Sequence, residues 1–182
     1  MRIALLGTSG AGKTTLGREL ARRLGCVFVE VDALQHKANW VRATPDEVSA
    51  AVRAALAGKA SWVIDGTCER EVGDFVSAQA DVIVWLDLPL AVKLLRLLRR
   101  SWHRVRRQEV LWNGNTESWR DVFVGRDSVL MHPVRKHFPQ RRHILGRPDA
   151  HKIVRLRTPR QVQEWLDGLD WSTSVPPANG AG

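Results

Sequence analysis

Between residues 5 and 20 the chain reads LLGTSGAGKTTLGREL, and no other stretch restricts its fold so strongly. Gly7 and Gly12 stand five apart and are followed by Lys13 and Thr14, which satisfies the spacing G-x-x-x-x-G-K-[ST]. An apolar run, Arg2-Ile-Ala-Leu-Leu6, precedes the glycines; after them Leu16, Leu20 and Leu24 recur at helical spacing until Gly25. Strand, glycine loop and helix, in that order, are what anion binding needs. Glycines let the backbone turn sharply and aim several N–H groups at one anion, and the helix N-terminus adds its positive dipole end. The expected phosphate cradle is Gly7, Ser9, Gly10, Ala11, Gly12, Lys13, Thr14 and Thr15. Lys13 would reach the β- and γ-phosphates, and the Thr14 hydroxyl would sit on a magnesium ion. The expected cofactors are therefore ATP and Mg2+.

The rest of the chain supplies a matching frame. Residues 27–31, 62–65, 81–86 and 153–156 read as further strands, while 13–24, 45–57, roughly 89–107 and 159–167 read as helices. Two of those helices carry start signals, Thr44-Pro45-Asp46-Glu47 and Thr158-Pro159. Strands alternating with helices imply a parallel sheet covered on both faces, with ligands outside the carboxyl ends of the strands. Gly7, Asp32 and Asp65 all fall there. Asp65 is the candidate metal ligand together with Thr14, and Asp32 the candidate for orienting or deprotonating an acceptor hydroxyl. Asp87, before Leu88-Pro89, reads as the side-chain cap of the next helix.

At 182 residues and 44% apolar, the chain is long enough for one domain, expected over residues 1–170, with a disordered tail at 171–182. Cys26 and Cys68 lie beside expected core strands and read as buried reduced thiols. With neither a signal peptide nor an apolar run long enough to cross a bilayer, the expected location is the cytoplasm, without membrane insertion. A net charge of +9, from 28 Lys and Arg against 19 Asp and Glu, suits polyanionic partners: nucleic acid, an anionic membrane surface or a phosphorylated small molecule.

Much of that charge lies in KLLRLLRRSWHRVRRQEVLWNGNTESWRD, starting at Lys93. Leu94, Leu95, Leu98, Trp102 and Val105 fall on one helical face, with the arginines largely on others. Three readings stand side by side. The arginines fold over bound phosphates, where guanidinium groups pair bidentately with phosphoryl oxygens; they form a solvated face; or they contact nucleic acid, with Trp102, Trp112 and Trp119 stacking on bases.

The segments VDALQHKANW (31–40), WVIDGTCER (62–70), VIVWLDLP (82–89), LWNGNTES (111–118) and IVRLRTPRQVQEWL (153–166) together resemble small bacterial adenylate-kinase-related P-loop proteins, often labelled topology modulation proteins. The resemblance spans nearly the whole chain except the tail. It implies an α/β P-loop NTPase three-layer fold: a five-stranded parallel sheet in the order 2-3-1-4-5, a substrate flap after the second strand, and an arginine-bearing lid, here about 100–122. It further implies Arg100 and Arg104 as lid arginines with Arg96 behind them, and Arg157 near the adenine ring. The 35–44 segment is too short for a true adenylate kinase's monophosphate-binding domain. His36, Lys37, Trp40 and Arg42 are candidates to clasp a different acceptor, or else a surface loop.

Together these point to a phosphotransferase that moves the γ-phosphoryl group of ATP to a small acceptor, with Lys13, Asp32, Arg100 and Arg104 as its catalytic residues. The alternative is a nucleotide-dependent DNA- or RNA-binding regulator.

Overall fold

The computed structural model describes residues 1–66, 70–124 and 128–169. Five strands, β1 (Arg2–Leu6), β2 (Val27–Glu30), β3 (Trp62–Asp65), β4 (Val82–Leu86) and β5 (Ile153–Leu156), form one parallel sheet. Their order is β2-β3-β1-β4-β5, as expected. The connecting helices are α1 (Lys13–Leu24), α2 (Val31–Gln35), α3 (Pro45–Leu56), α4 (Arg70–Gln79), α5 (Leu90–Arg107), α6 (Trp119–Phe123), α7 (Met131–Leu145) and α8 (Pro159–Asp167).

Ile3, Ala4 and Leu5 of β1 are all buried, so this central strand has no solvent face, as a doubly covered parallel sheet requires. Ile3 and Leu5 pack with Leu16, Leu20 and Leu24 of α1 and Leu166 of α8. Ala4 faces the other layer, with Val52 of α3 and Val72 and Val76 of α4. The alternation along one short strand thus assigns a helix layer to each face.

Local chemistry sets the helix ends. Thr44 and Glu47 form a reciprocal capping box at the start of α3, and the Thr158 hydroxyl accepts from the Gln161 amide at the start of α8. Gly25 closes α1 in the left-handed region, at φ 60°.

The structure departs from the sequence reading in several places. β2 stops at Glu30 and turns at once into α2, so Asp32 lies in a helical first turn rather than at a strand end. Helices α4 and α7 carry no strong signal in the sequence. Gly73 interrupts the first, and Pro133 and Pro139 break the periodicity of the second. Asp87 does not cap α5, whose first turn has no side-chain cap. Its carboxylate instead accepts from Arg155 Nε at 2.9 Å and Nη2 at 2.5 Å, with Arg141 at 3.4 Å.

The buried stripe of α5 is Lys93, Leu97, Ser101 and Val105, not the leucine-rich face; Leu95, Leu98 and Trp102 are exposed. The glycine loop dictates this orientation. A Cβ added to Gly10 would lie 2.5 Å from the Lys93 carbonyl oxygen and 2.8 Å from Leu97 Cγ, so α5 packs its 93–97 surface directly on the loop. Cys26 is a half-buried free thiol, while Cys68 and the 171–182 tail lie outside the described residues. Among the described residues no helix is long and apolar enough to cross a membrane.

Candidate active site

At the carboxyl ends of the strands the chain encloses a cleft of about 2000 Å³. Residues Gly7 to Thr15 line it. Gly10 (φ 78°) and Gly12 (φ 97°) both occupy backbone conformations that glycine alone adopts without strain. The Ala11 amide donates to the Thr8 carbonyl at 3.2 Å, closing the turn. No side chain caps α1 and no acidic residue stands in its first turn, so its N-terminal amides and dipole are left for an anion from outside. The Thr8 hydroxyl is buried and makes no hydrogen bond among the described residues. Arg96 Nη1 donates to the Ala11 carbonyl at 3.1 Å and so ties α5 to the loop.

Next to the loop stands a cluster of hard oxygen donors. The Thr14 hydroxyl donates to Asp65 Oδ2 at 2.7 Å and lies 3.3 Å from Glu30 Oε1. Parallel pairing of β2 with β3 aligns Glu30 with Asp65, which sets their carboxylates side by side. Burial pushes the Asp65 carboxyl up to about 6; the Lys13 charge and the Thr14 hydrogen bond pull it back, while Asp32 and Glu30 add to the rise. Glu30 Oε2 also accepts from exposed Arg18 Nη2 at 3.2 Å, and the oxygen donors of Thr14, Asp65 and Glu30 are of the kind that suits Mg2+. Among the described residues no group of three or more His, Cys, Asp or Glu could hold an ion by itself. A magnesium shared with substrate phosphates takes only one or two carboxylates from the protein, which Asp65 and Glu30 would supply.

Glu30 was missed by the sequence reading. Its signal was present in Glu30-Val31-Asp32, two carboxylates flanking the end of a strand that pairs with β3, but it becomes legible only once the register is known.

Asp32, His36 and Arg42 line the same cleft, as do Arg100 and Arg104 of α5; Asp65, 1% exposed, lies behind Thr14 and does not line it. Arg104 Nη1 lies 3.5 Å from Glu117 Oε2. The Arg100 guanidinium makes no hydrogen bond or ion pair among the described residues. Its protonated form is disfavoured first by burial and then by Arg104, with Glu117 and Asp32 opposing. Arg100 as a residue is exposed at the cleft, so its guanidinium, without a protein acceptor among the described residues, can meet an anion from solvent.

Lys37 points elsewhere: its ammonium pairs with the exposed Glu47 at 2.7 Å. Arg157 is exposed, its backbone amide donating to Gln161 Oε1, and it does not line the cleft. The tryptophans divide between roles. Trp62 and Trp85 are core residues, and exposed Trp102 meets Trp119 edge to face at 5.4 Å.

The model of one protein family, described as an AAA domain, matches residues 3–120. A shikimate kinase from Halorhodospira halophila is 32% identical over 108 residues, 52% of this chain and 61% of that protein, so the chain matches about three fifths of the relative's length. Among solved structures, a gluconokinase from Sinorhizobium meliloti 1021 is similar with a TM-score of 0.54 at 20% identity, over 90% of this chain and 85% of that one. The shikimate kinase from Acinetobacter baumannii, solved in complex with shikimate, reaches a TM-score of 0.56 at 19% identity, over 91% and 90% of the two chains. At these identities the structural likenesses establish the fold.

Proposed function

The chain belongs to the AAA domain family, and from that premise we propose that it is an ATP-dependent small-molecule kinase. The observation that carries this reading is the shared cleft. The glycine loop with Lys13 and Thr14, Asp32, and the Arg100 guanidinium, unpaired among the described residues, all line it, and Asp65 lies behind Thr14 at 2.7 Å. Names of the relatives, shikimate kinase and gluconokinase, support transfer to a hydroxylated acceptor. The finer resemblance to topology modulation proteins belongs to the same proposal, as do a cytoplasmic location, a single domain over 1–170 and a lid over about 100–122.

In the proposed reaction, loop amides and Lys13 hold the triphosphate, and Asp32 accepts the proton of an acceptor hydroxyl. That oxygen attacks the γ-phosphorus in line, the bond to the β-phosphate oxygen breaks, and ADP leaves. Thr14, Asp65 and Glu30 would hold magnesium, which supplies charge neutralisation between the phosphates. Arg100, with Arg104 beside it, offsets negative charge on the transferred group. His36 Nδ1, buried and without a hydrogen-bond partner among the described residues, supports a polar acceptor in this part of the cleft.

The nucleic-acid regulator draws no comparable support. Trp102 and Trp119 already pack on each other, and Arg96 and Arg104 are engaged at the cleft. Purified protein with MgATP should consume ATP when given one member of a panel of hydroxylated metabolites, nucleosides and nucleotides. Lys13→Ala should cut that rate by about 10³-fold or more. Equal turnover by the variant would defeat the reading.

A further inference from the structure

The loop after α5 docks across the cleft onto the loop after α2, and one short segment makes both this contact and the contact to the arginines. Asn115, 4% exposed, donates through Nδ2 to the carbonyls of Lys37 (2.9 Å) and Trp112 (2.8 Å), and its Oδ1 accepts from the Trp40 amide at 2.9 Å. All three bonds satisfy an amide that burial would otherwise penalise. Trp40 Nε1 donates to the Thr116 carbonyl at 3.1 Å, and Asn113 Nδ2 donates to the His36 carbonyl at 2.5 Å. The rings of His36 and Trp112 stack at 6.0 Å.

Two residues after Asn115 comes Glu117, also 4% exposed. Its Oε1 accepts from the Ser101 hydroxyl of α5 and its Oε2 faces Arg104 at 3.5 Å. One further observation shows that the docked arrangement is held rather than relaxed. Asn39 (φ 58°) and Trp40 (φ 56°) are both left-handed, a conformation that costs a bulky residue such as Trp free energy and persists only where neighbours impose it. The neighbours are Asn115 and Thr116.

We infer that Asn115 and Glu117 are a positioning pair, through which docking of the 36–42 loop over the acceptor half of the cleft fixes Arg104 and, beside it, Arg100. The inference rests on the kinase reading for its purpose and on the hydrogen-bond network for its existence. Docking places Asn115, Asn115 carries Glu117 with it along two residues of backbone, and the Glu117 carboxylate then holds a guanidinium that would otherwise be repelled by its neighbour. The arginines are thereby set only when the acceptor side is closed, which couples acceptor binding to transition-state charge stabilisation.

Two readouts separate this inference from the kinase reading. Hydrogen exchange at the Trp40 amide needs no activity. It should speed up about tenfold or more in Asn115→Ala and at least about threefold in Glu117→Gln, with β1 and β4 amides unchanged as proof of folding. Ser101→Ala, which leaves the Glu117 charge in place, provides a milder probe should Glu117→Gln unfold. Unchanged Trp40 exchange in the folded Glu117 or Ser101 variant would overturn the coupling.

The second readout is turnover with the acceptor that the panel identifies. Glu117→Gln should lower kcat about tenfold with KM for ATP within about twofold, and Glu117→Asp should restore part of the loss. An unchanged kcat would overturn the coupling as well. Absence of any Lys13-dependent transfer in the wild type would instead defeat the kinase reading, and Trp40 exchange would still decide the coupling.

Discussion

At Asp65, fold stability and the proposed magnesium binding pull in opposite directions. The residue is 1% exposed, and burial raises its carboxyl from 3.8 to about 6. The native state therefore holds this proton more tightly than the unfolded chain, and stability falls as pH rises from about 4 to about 6. Above that range Asp65 is charged and costs the free protein on the order of 1–3 kcal/mol. Asp65→Asn, which keeps an oxygen for the Thr14 hydroxyl, should accordingly raise the melting temperature at pH 7 while removing magnesium-dependent activity. A lower melting temperature at pH 7 would show that the carboxylate is stabilising as it stands. In the wild type, proton and magnesium compete for Asp65, so the magnesium concentration needed for half-maximal turnover should rise as pH drops through about 6.

Among the elements, those with marked ends were legible and those held only by tertiary contact were not. Thr44→Ala removes both halves of the α3 capping box and should cost about 1 kcal/mol, lowering the melting temperature by roughly 2–4 °C. The same residues made α3 readable in the sequence, as Thr158 did for α8 and Gly25 for the end of α1. Pro139 inside α7 and Gly73 inside α4 hid those helices, which buried residues such as Ile144, Val72 and Val76 hold in place. α5 was legible as a helix but not in its orientation. Its leucines suggested one face, whereas close packing against Gly10 selects another and brings Arg96 onto the loop. Arg96→Ala should raise KM for ATP several-fold with a smaller effect on kcat, since the guanidinium supports the loop backbone through the Ala11 carbonyl. A large loss of kcat at unchanged KM would place Arg96 on the reacting phosphates instead.

For the molecule as a whole, the strand order β2-β3-β1-β4-β5 collects at one edge of the sheet what the chain scatters from Gly7 to Glu117. The glycine loop, Asp32 and Asp65 were readable beforehand because each carries a local signal after a strand. Glu30, Asn115 and Glu117 were not, because their meaning depends on β-register and on one loop docking against another. The +9 charge also finds a place in this frame. Part of it lies inside the cleft on Lys13, Arg42, Arg100 and Arg104, where the proposed triphosphate would meet it. Turnover should accordingly fall only modestly between 50 and 200 mM salt, roughly two- to threefold, whereas polynucleotide binding through six or more phosphates would weaken by about 10³-fold or more over that range. The most direct measurement of the central claim is transfer of radiolabelled γ-phosphate from MgATP to the acceptor panel, with wild type and Lys13→Ala compared side by side. A single labelled hydroxylated product, formed by the wild type and absent with the variant, is the result the kinase reading requires. Label released only as inorganic phosphate, with no acceptor phosphorylated, would contradict it.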